Sequence, residues 1–229
     1  MILVLNLKMN LSKDNIIQYE RFIHDKNVIV LPQYPYLLFF SKGNYYLGSQ
    51  DVSKFAKGSY TGEVCAKGLK KLGVKYCLVG HSERKEYFHE TKNDFRMKMQ
   101  NVSENDMITI YCINQSLEEK ENDIELKGIE EQLDAIPDYI RYIVIAYEPS
   151  WLIGQEEAFI DVEHIEKVIV KIKDYLMERN INHSIIYGGG VSKDNIDFLK
   201  QINGNDGFII SSSALELDNL GYIYQSINE

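Results

Sequence analysis

Short apolar runs alternate with longer amphipathic segments along the whole chain, and this alternation constrains the fold more than any other feature. Eight runs of aliphatic and β-branched residues predict strands at residues 2–7, 28–31, 45–48, 75–79, 107–112, 142–147, 184–187 and 207–210. Helical spacing predicts helices at residues 12–24, 36–42, 63–72, 86–102, 116–136, 161–179, 194–202 and 214–227. Regular alternation of strand and helix indicates an α/β protein whose parallel strands are joined by right-handed crossovers.

Two architectures accommodate eight such units. One is a (β/α)8 barrel, a closed sheet of eight parallel strands with helices outside it, and the other is a doubly wound open sheet with added strands. The pattern favours the barrel, because eight units in 229 residues match its usual size. We therefore expect one barrel domain over residues 1–229, long enough to bury a core without disulfides or metals.

Charge and the lengths of the apolar runs argue against several classes of partner. The net charge of −9 opposes binding to nucleic acid, although a local cationic pocket for a small anion stays open. No apolar run approaches the roughly 20 residues that cross a bilayer, and residues 2–7 are too short for a signal peptide. Three cysteines without CxxC spacing predict neither a disulfide framework nor a metal site. We therefore expect a cytoplasmic protein without a membrane span.

Polar residues follow several predicted strands, at the end where both architectures bind ligands. Asn6 and Lys8 alternate with apolar residues and so share one face of strand 1, where Lys8 is either an anion-binding group or an exposed lysine. His81 opens a predicted helical turn, whose positive end favours the neutral imidazole; the alternative is a structural histidine. Glu83 is a candidate partner of Lys8 or Arg84.

Glu148 stands between the sixth predicted strand and Pro149, which continues neither a strand ladder nor a helix. This position makes Glu148 a candidate general base. The apolar residues 149–154 contain the only tryptophan and suit either a hinged lid or a loop packed on the rim. Three glycines at residues 188–190 can bring backbone N–H groups close to a phosphate, but they match neither the GxGxxG nor the Walker A motif.

Five separated motifs occur in order along the chain, at residues 6–10 (NLKMN), 60–63 (YTGE), 79–84 (VGHSER), 146–149 (AYEP, with Trp151 and Gly154 after it) and 187–191 (YGGGV). In these motifs the chain resembles the triosephosphate isomerase family over essentially its whole length. The resemblance implies a (β/α)8 TIM barrel and the interconversion of dihydroxyacetone phosphate and glyceraldehyde 3-phosphate through an enediolate. This aldose–ketose isomerisation of glycolysis and gluconeogenesis uses no metal and no organic cofactor.

Matched residue by residue, the resemblance also implies roles. Glu148 is the base that moves the proton between C1 and C2, and His81 stabilises the charge on oxygen, with Asn6 as an added donor and Lys8 as a fixed positive charge. The positions that match supporting residues are Glu83, Cys112 and Tyr147. Those that match the phosphate site are Gly154, Gly189 and Gly190, together with Ser211 and Ser212.

Some positions depart from the family's pattern. Gly190 stands where a serine is usual, and Ser211 and Ser212 stand where a pair of glycines is usual. Gln155-Glu156 stands where a Thr-Gly-like pair usually ends the lid. We expect both serines still to bind phosphate through their backbone N–H groups, provided that their φ angles are negative.

The predicted loop at residues 53–62 is longer than a barrel needs. In the resembling family, the stretch that matches Tyr60-Thr61-Gly62 inserts into a partner, so Thr61 is a predicted contact of a homodimer, and a tetramer stays possible. The retention of Lys8, His81 and Glu148 favours an active isomerase. The alternatives are another metal-free sugar-phosphate isomerase and a barrel that binds phosphate or a partner after losing activity.

Overall fold

Eight parallel strands form a closed barrel in the computed structural model of the chain, which describes residues 1–11, 18–19, 23–121, 125–152 and 160–228. The strands are β1 (Ile2–Asn6), β2 (Val28–Leu31), β3 (Tyr46–Ser49), β4 (Tyr76–Val79), β5 (Ile108–Gln115), β6 (Tyr142–Pro149), β7 (Asn182–Tyr187) and β8 (Gly207–Ile210). Leu3 on β1 pairs with Val28 on β2 and with Phe208 on β8, which closes the cylinder. The predicted (β/α)8 barrel is therefore confirmed, and the open doubly wound sheet is wrong.

Helices connect successive strands around the barrel. They are α1 (Leu37–Phe40), α2 (Ala66–Lys71), α3 (Ser82–Phe88), α4 (Lys92–Glu104), α5 (Leu117–Glu121), α6 (Glu125–Leu133), α7 (Val162–Glu178), α8 (Ile196–Leu199), α9 (Ser212–Leu215) and α10 (Leu217–Asn228). Single 3₁₀ turns occur at Tyr34–Tyr36 and Ser150–Leu152. Most of the helix predicted at residues 12–24 lies outside the described residues. In the described ranges, no helix is long and apolar enough to cross a membrane.

The apolar core has two layers, because side chains along a strand alternate between its faces. One cluster, which includes Val4, Ile110 and Val144, fills the barrel interior. The other, which includes Leu3 and Leu5, packs between the barrel and the helices. A residue that lies two positions after an interior residue on the same strand therefore also points into the barrel. At the carboxyl ends of the strands, this alternation directs polar side chains into the mouth of the barrel.

Several predicted boundaries are wrong. β5 and β6 continue past residues 112 and 147 to Gln115 and Pro149. The helix predicted at residues 86–102 is two helices, because α3 ends at His89, whose φ of 53° is left-handed. The helix α4 then starts after Thr91, whose side chain accepts the Asp94 N–H in a capping box.

Other helical predictions also change. Within residues 116–136 the structure describes α5 and α6, and residues 122–124 between them lie outside the described residues; the helix predicted at residues 194–202 shortens to α8. The segment 214–227 divides at Glu216, whose backbone is extended between α9 and α10. Alternation thus predicts where helices occur better than where they break.

Candidate active site

The carboxyl ends of the strands bring the predicted site residues to one mouth of the barrel. On β1, the interior residue Val4 is followed two positions later by Asn6, and on β6 Ala146 is followed by Glu148. Residues two apart on a strand share a face, so both polar side chains point into the mouth. Asn6 is 3% exposed, Glu148 4% and His81, just after β4, 6%. Three polar side chains are thus buried at this end of the barrel.

Lys8 takes a backbone conformation that residues other than glycine rarely adopt, with φ at 45°. Its N–H donates to Asn6 Oδ1 at 3.3 Å, and Gln50 Nε2 donates to its carbonyl oxygen at 2.8 Å and to that of Leu31 at 2.9 Å. The Lys8 ammonium donates to Glu83 Oε1 at 2.7 Å. Of the two partners considered for Glu83, Lys8 is the one that it binds. The surrounding bonds hold a strained residue in place at the mouth.

One hydrogen bond from the backbone of α3 defines which nitrogen of the His81 ring carries the proton in the neutral form. Nδ1 accepts the backbone N–H of Glu83 at 3.3 Å, where His81 caps the first turn of α3. A ring nitrogen that accepts carries no proton, so the neutral ring carries its proton on Nε2. Nε2 lies 3.7 Å from Glu148 Oε1. His81 therefore presents one N–H donor to the mouth.

The two oxygens of Glu148 have different surroundings. Oε2 accepts a hydrogen bond from Asn114 Nδ2 at 3.1 Å, whereas Oε1 faces His81. Gly188 on the neighbouring strand end leaves room for the side chain, since a Cβ there would lie 3.0 Å from Glu148 Cγ and 3.4 Å from Oε1. One oxygen is thus anchored and the other is available for chemistry.

Two further titratable groups lie around the carboxylate. Cys112 is fully buried inside the barrel, and burial, reinforced by the charge of Glu148, raises the pKa of its thiol. Burial lowers the pKa of Lys85 to about 8, against the opposing effects of Cys112, Glu148 and Glu119. Within the described parts of the chain, no three His, Cys, Asp or Glu side chains come together as metal ligands.

Tyr147 lies on the outer face of the barrel, not at the mouth. Its hydroxyl donates to Gln115 Oε1 at 2.6 Å, and His164 Nε2 lies 2.9 Å from the same oxygen. The His164 ring contacts Trp151 with a centroid distance of 5.9 Å. Tyr147 therefore supports the 3₁₀ turn that follows β6. Residues 153–159 lie outside the described residues, and with them Gly154 of the predicted lid and Gln155-Glu156 at its end.

The predicted phosphate residues lie in the adjacent loops after β7 and β8. Ser213 Oγ donates to the carbonyl oxygen of Val191, which ties the serine segment to the glycine segment. Ser211 has a φ of −126° and Ser212 begins α9, so the expected negative φ angles are confirmed. Gly190 has a φ of 60°, a left-handed conformation that suits glycine. Gly189, Gly190, Ser211 and Ser212 therefore all follow the carboxyl ends of β7 and β8.

Thr61 lies in a protruding loop whose residues 56–63 are all exposed. Stacked rings of Phe55 and Tyr60, with centroids 3.6 Å apart, brace the loop. Met9, which follows Lys8, is 87% exposed, and the side chain of Phe88 at the end of α3 is also exposed. Apolar side chains are therefore exposed on segments that adjoin the site in sequence.

Sequence reasoning did not single out Asn114 or Lys85, and it linked Gly188 only to phosphate. The signal for Asn114 was present, because it stands two residues after Cys112 as Glu148 stands two after Ala146. Because the strand was predicted to end at residue 112, the alternation was not extended to residue 114. Nothing in the local sequence marks Lys85 as partly buried beside the site, since it lies in a charged helical turn.

Comparisons with known proteins agree with this geometry. The family model described as triosephosphate isomerase matches residues 1–227. The chain is 35% identical over 190 residues to the triosephosphate isomerase of Orientia tsutsugamushi (strain Ikeda), covering 80% of this chain and 76% of that protein. It is 37% identical over 174 residues to that of Mesomycoplasma hyorhinis, covering 75% and 70%. It is 34% identical over 215 residues to that of Buchnera aphidicola subsp. Baizongia pistaciae, covering 86% and 85%.

Proposed function

The chain belongs to the triosephosphate isomerase family, and from this premise we propose how its barrel mouth interconverts dihydroxyacetone phosphate and glyceraldehyde 3-phosphate. The reaction is an aldose–ketose isomerisation of glycolysis that moves a proton between neighbouring carbons. The observation that carries the assignment of residues is the meeting of a carboxylate and an imidazole, with Glu148 Oε1 3.7 Å from His81 Nε2. A carboxylate base beside a neutral histidine is a pairing for which this family is itself the reference case.

Glu148 acts as the base in this proposal. Its Oε1 takes a proton from C1 of dihydroxyacetone phosphate, and the electron pair of that C–H bond forms the double bond of an enediolate. The C2 carbonyl pair moves onto the C2 oxygen, which takes a proton while the C1 hydroxyl loses one, with His81 Nε2 passing the proton between the two oxygens. The same carboxyl group then returns its proton to C2, which yields glyceraldehyde 3-phosphate. Burial at the mouth keeps water away from the reacting carbons and fixes the base near them.

His81, Lys8 and Asn6 stabilise the charge that develops on the substrate oxygens. His81 donates from Nε2, and because its ring is neutral it can lend a proton without first carrying a positive charge. Lys8 supplies a permanent positive charge, held in place by Glu83. Asn6 adds an amide beside Lys8. Donors fixed before the reaction stabilise a developing anion without having to reorganise.

The substrate phosphate binds, in this proposal, to the backbone N–H groups of Gly189, Gly190, Ser211 and Ser212. The first N–H groups of a helix such as α9 have no partner within that helix, so they are free to donate to an anion. Gly154 joins this set by its match to the family's motif. The charge of Lys8 also favours an anionic ligand at the mouth.

We also infer that the chain forms one domain over residues 1–229 and works as a homodimer in the cytoplasm, with a tetramer as an extension of the dimer. The family match over residues 1–227 supports a single unit. The protruding loop around Thr61 and the exposed Met9 support a two-fold contact beside the site. Cys65, Cys77 and Cys112 are free thiols, which fits a reducing compartment. Sedimentation that shows a fully active monomer at micromolar concentration would overturn the dimer.

The function is tested with the purified chain and dihydroxyacetone phosphate, using a coupled assay that consumes glyceraldehyde 3-phosphate. We expect turnover that persists after treatment with a chelator and needs no added cofactor. A chain that binds a phosphorylated substrate analogue but gives no turnover would be an inactive binding barrel, and the proposed function would be wrong.

A further inference from the structure

Asn114 contacts the proposed base directly. It lies on β5 opposite Glu148 in the sheet register, and its Nδ2 donates to Glu148 Oε2 at 3.1 Å. Asn114 thus binds Oε2 of Glu148, whereas His81 lies beside Oε1. Asn114 therefore occupies the position from which the carboxylate can be held without blocking its reacting oxygen.

Lys85 determines which way the Asn114 amide points. Its ammonium donates to Asn114 Oδ1 at 2.7 Å and to Gln132 Oε1 at 2.9 Å. A lysine can only donate and a carboxylate can only accept, so the amide oxygen must face Lys85 and the amide nitrogen must face Glu148. Exchanging the two ends of the amide would break both charge-assisted bonds.

Gln132 fixes the backbone of Asn114 as well. The Gln132 side chain accepts the Asn114 N–H at 3.1 Å and donates to the Asn114 carbonyl oxygen at 2.7 Å. The backbone N–H and the backbone carbonyl of Asn114 are therefore both hydrogen-bonded to one side chain of α6. The amide that contacts Glu148 is held at its backbone and at its oxygen.

We propose that Asn114, oriented by Lys85 and Gln132, is a positioning residue that anchors Oε2 of Glu148 and leaves Oε1 to exchange the proton. This inference rests on the proposed isomerase function. A carboxylate with both oxygens free rotates, and reacting atoms displaced by about 1 Å can cost about 10²-fold in rate. Anchoring one oxygen limits that rotation before substrate arrives.

The charged and titratable groups around the amide come from every element packed on it. Lys85 comes from α3, Glu148 from β6, Cys112 from β5 itself and Glu119 from α5, and His81 faces the carboxylate from the turn before α3. The only cation among these neighbours in the described residues is Lys85. A new negative charge at residue 114 would therefore be attracted by Lys85 and repelled by Glu148.

The Asn114→Asp variant separates positioning from simple packing. Aspartate keeps the size of asparagine and keeps an oxygen for Lys85, but it replaces the donor to Glu148 with a carboxylate oxygen. We expect kcat to fall about tenfold or more at pH 7 with KM within about twofold, and the acid limb of kcat/KM to move to higher pH because a like charge disfavours the ionised base. A residue that only fills space would leave both readouts unchanged.

A matched control and a second variant complete the test. Asn205→Asp makes the same change at an asparagine just before the amino end of β8, so it should leave kcat within about twofold. Lys85→Met removes the ammonium that orients the amide, and we expect kcat to fall at least about threefold with circular dichroism unchanged. If Asn114→Asp does not fold, the kcat of Lys85→Met tests the proposal by itself.

The outcomes separate this inference from the proposed function. Absence of isomerase activity in the unmodified chain would overturn the function. An active chain whose Asn114→Asp and Lys85→Met variants keep kcat within about twofold, with the acid limb unmoved, would overturn the positioning role alone.

Discussion

A methyl group added at Gly188 should displace the carboxylate of Glu148, the proposed base, without unfolding the barrel. A Cβ at residue 188 would lie 2.6 Å from Ile209 Cγ2 and 3.0 Å from Glu148 Cγ. Carbon atoms in contact are normally about 3.5–4.0 Å apart, so Ile209 Cγ2 must shift and Glu148 Cγ must give by a few tenths of an ångström. The backbone at Gly188 is not left-handed, so the effect of alanine comes from packing and not from φ.

The size of the effect follows from that displacement. A shift of 1 Å in a reacting group can lower the rate by about 10²-fold, so for a shift of a few tenths of an ångström we expect kcat of Gly188→Ala to fall about 3- to 10-fold. Overpacking should also lower the free energy of unfolding by about 1–3 kcal/mol. For a chain of this size, each kcal/mol lowers Tm by about 2–4 °C. The coupled assay measures kcat, and thermal unfolding measures the loss of stability.

Gly68→Ala is the matched control. Gly68 lies within α2, where a Cβ would come no closer than 3.6 Å to Cys65 Sγ. Alanine there should leave kcat unchanged and stabilise the helix by about 0.5–1 kcal/mol. A folded Gly188→Ala variant with the kcat of the unmodified chain would refute the argument that Gly188 makes room for the base.

Two other predictions concern phosphate binding and acid stability. Ser212→Gly should change the affinity for a phosphorylated substrate analogue by less than about threefold in calorimetry, whereas Ser212→Pro, if circular dichroism shows the fold intact, should weaken it strongly by deleting the N–H donor. Burial raises the pKa of Asp94, but hydrogen bonds from Lys54 and Thr91 outweigh it and lower the pKa from 3.8 to about 2. Asp94 therefore stabilises the fold above pH ~4 and loses this contribution toward pH ~2, so Asp94→Ala should cost about 1 kcal/mol in urea at pH 7 and little at pH 2.

The strands could be predicted from sequence because each is a short apolar run bounded by polar residues. Closure of the barrel could not, since the pairing of Ile2 with Gly207 joins the two ends of the chain and leaves no local signal. The break at His89 was missed because no glycine or proline marks it, and the left-handed conformation there belongs to a histidine.

Some residues of the candidate site could likewise be predicted from the sequence, and others could not. Asn6, Lys8, His81 and Glu148 stand at strand ends, so their meeting follows from the topology of a parallel barrel. Lys85 reaches the site from the helix side, and its contacts depend on how α3 packs, which residue spacing alone does not specify.

The turnover of Glu148→Gln tests the central claim most directly. Glutamine keeps the size of the side chain but removes the base, so kcat in the coupled assay should fall by at least about 10²-fold while the affinity for a phosphorylated substrate analogue stays within a few-fold. Near-normal turnover in Glu148→Gln would contradict the assignment of Glu148 as the base.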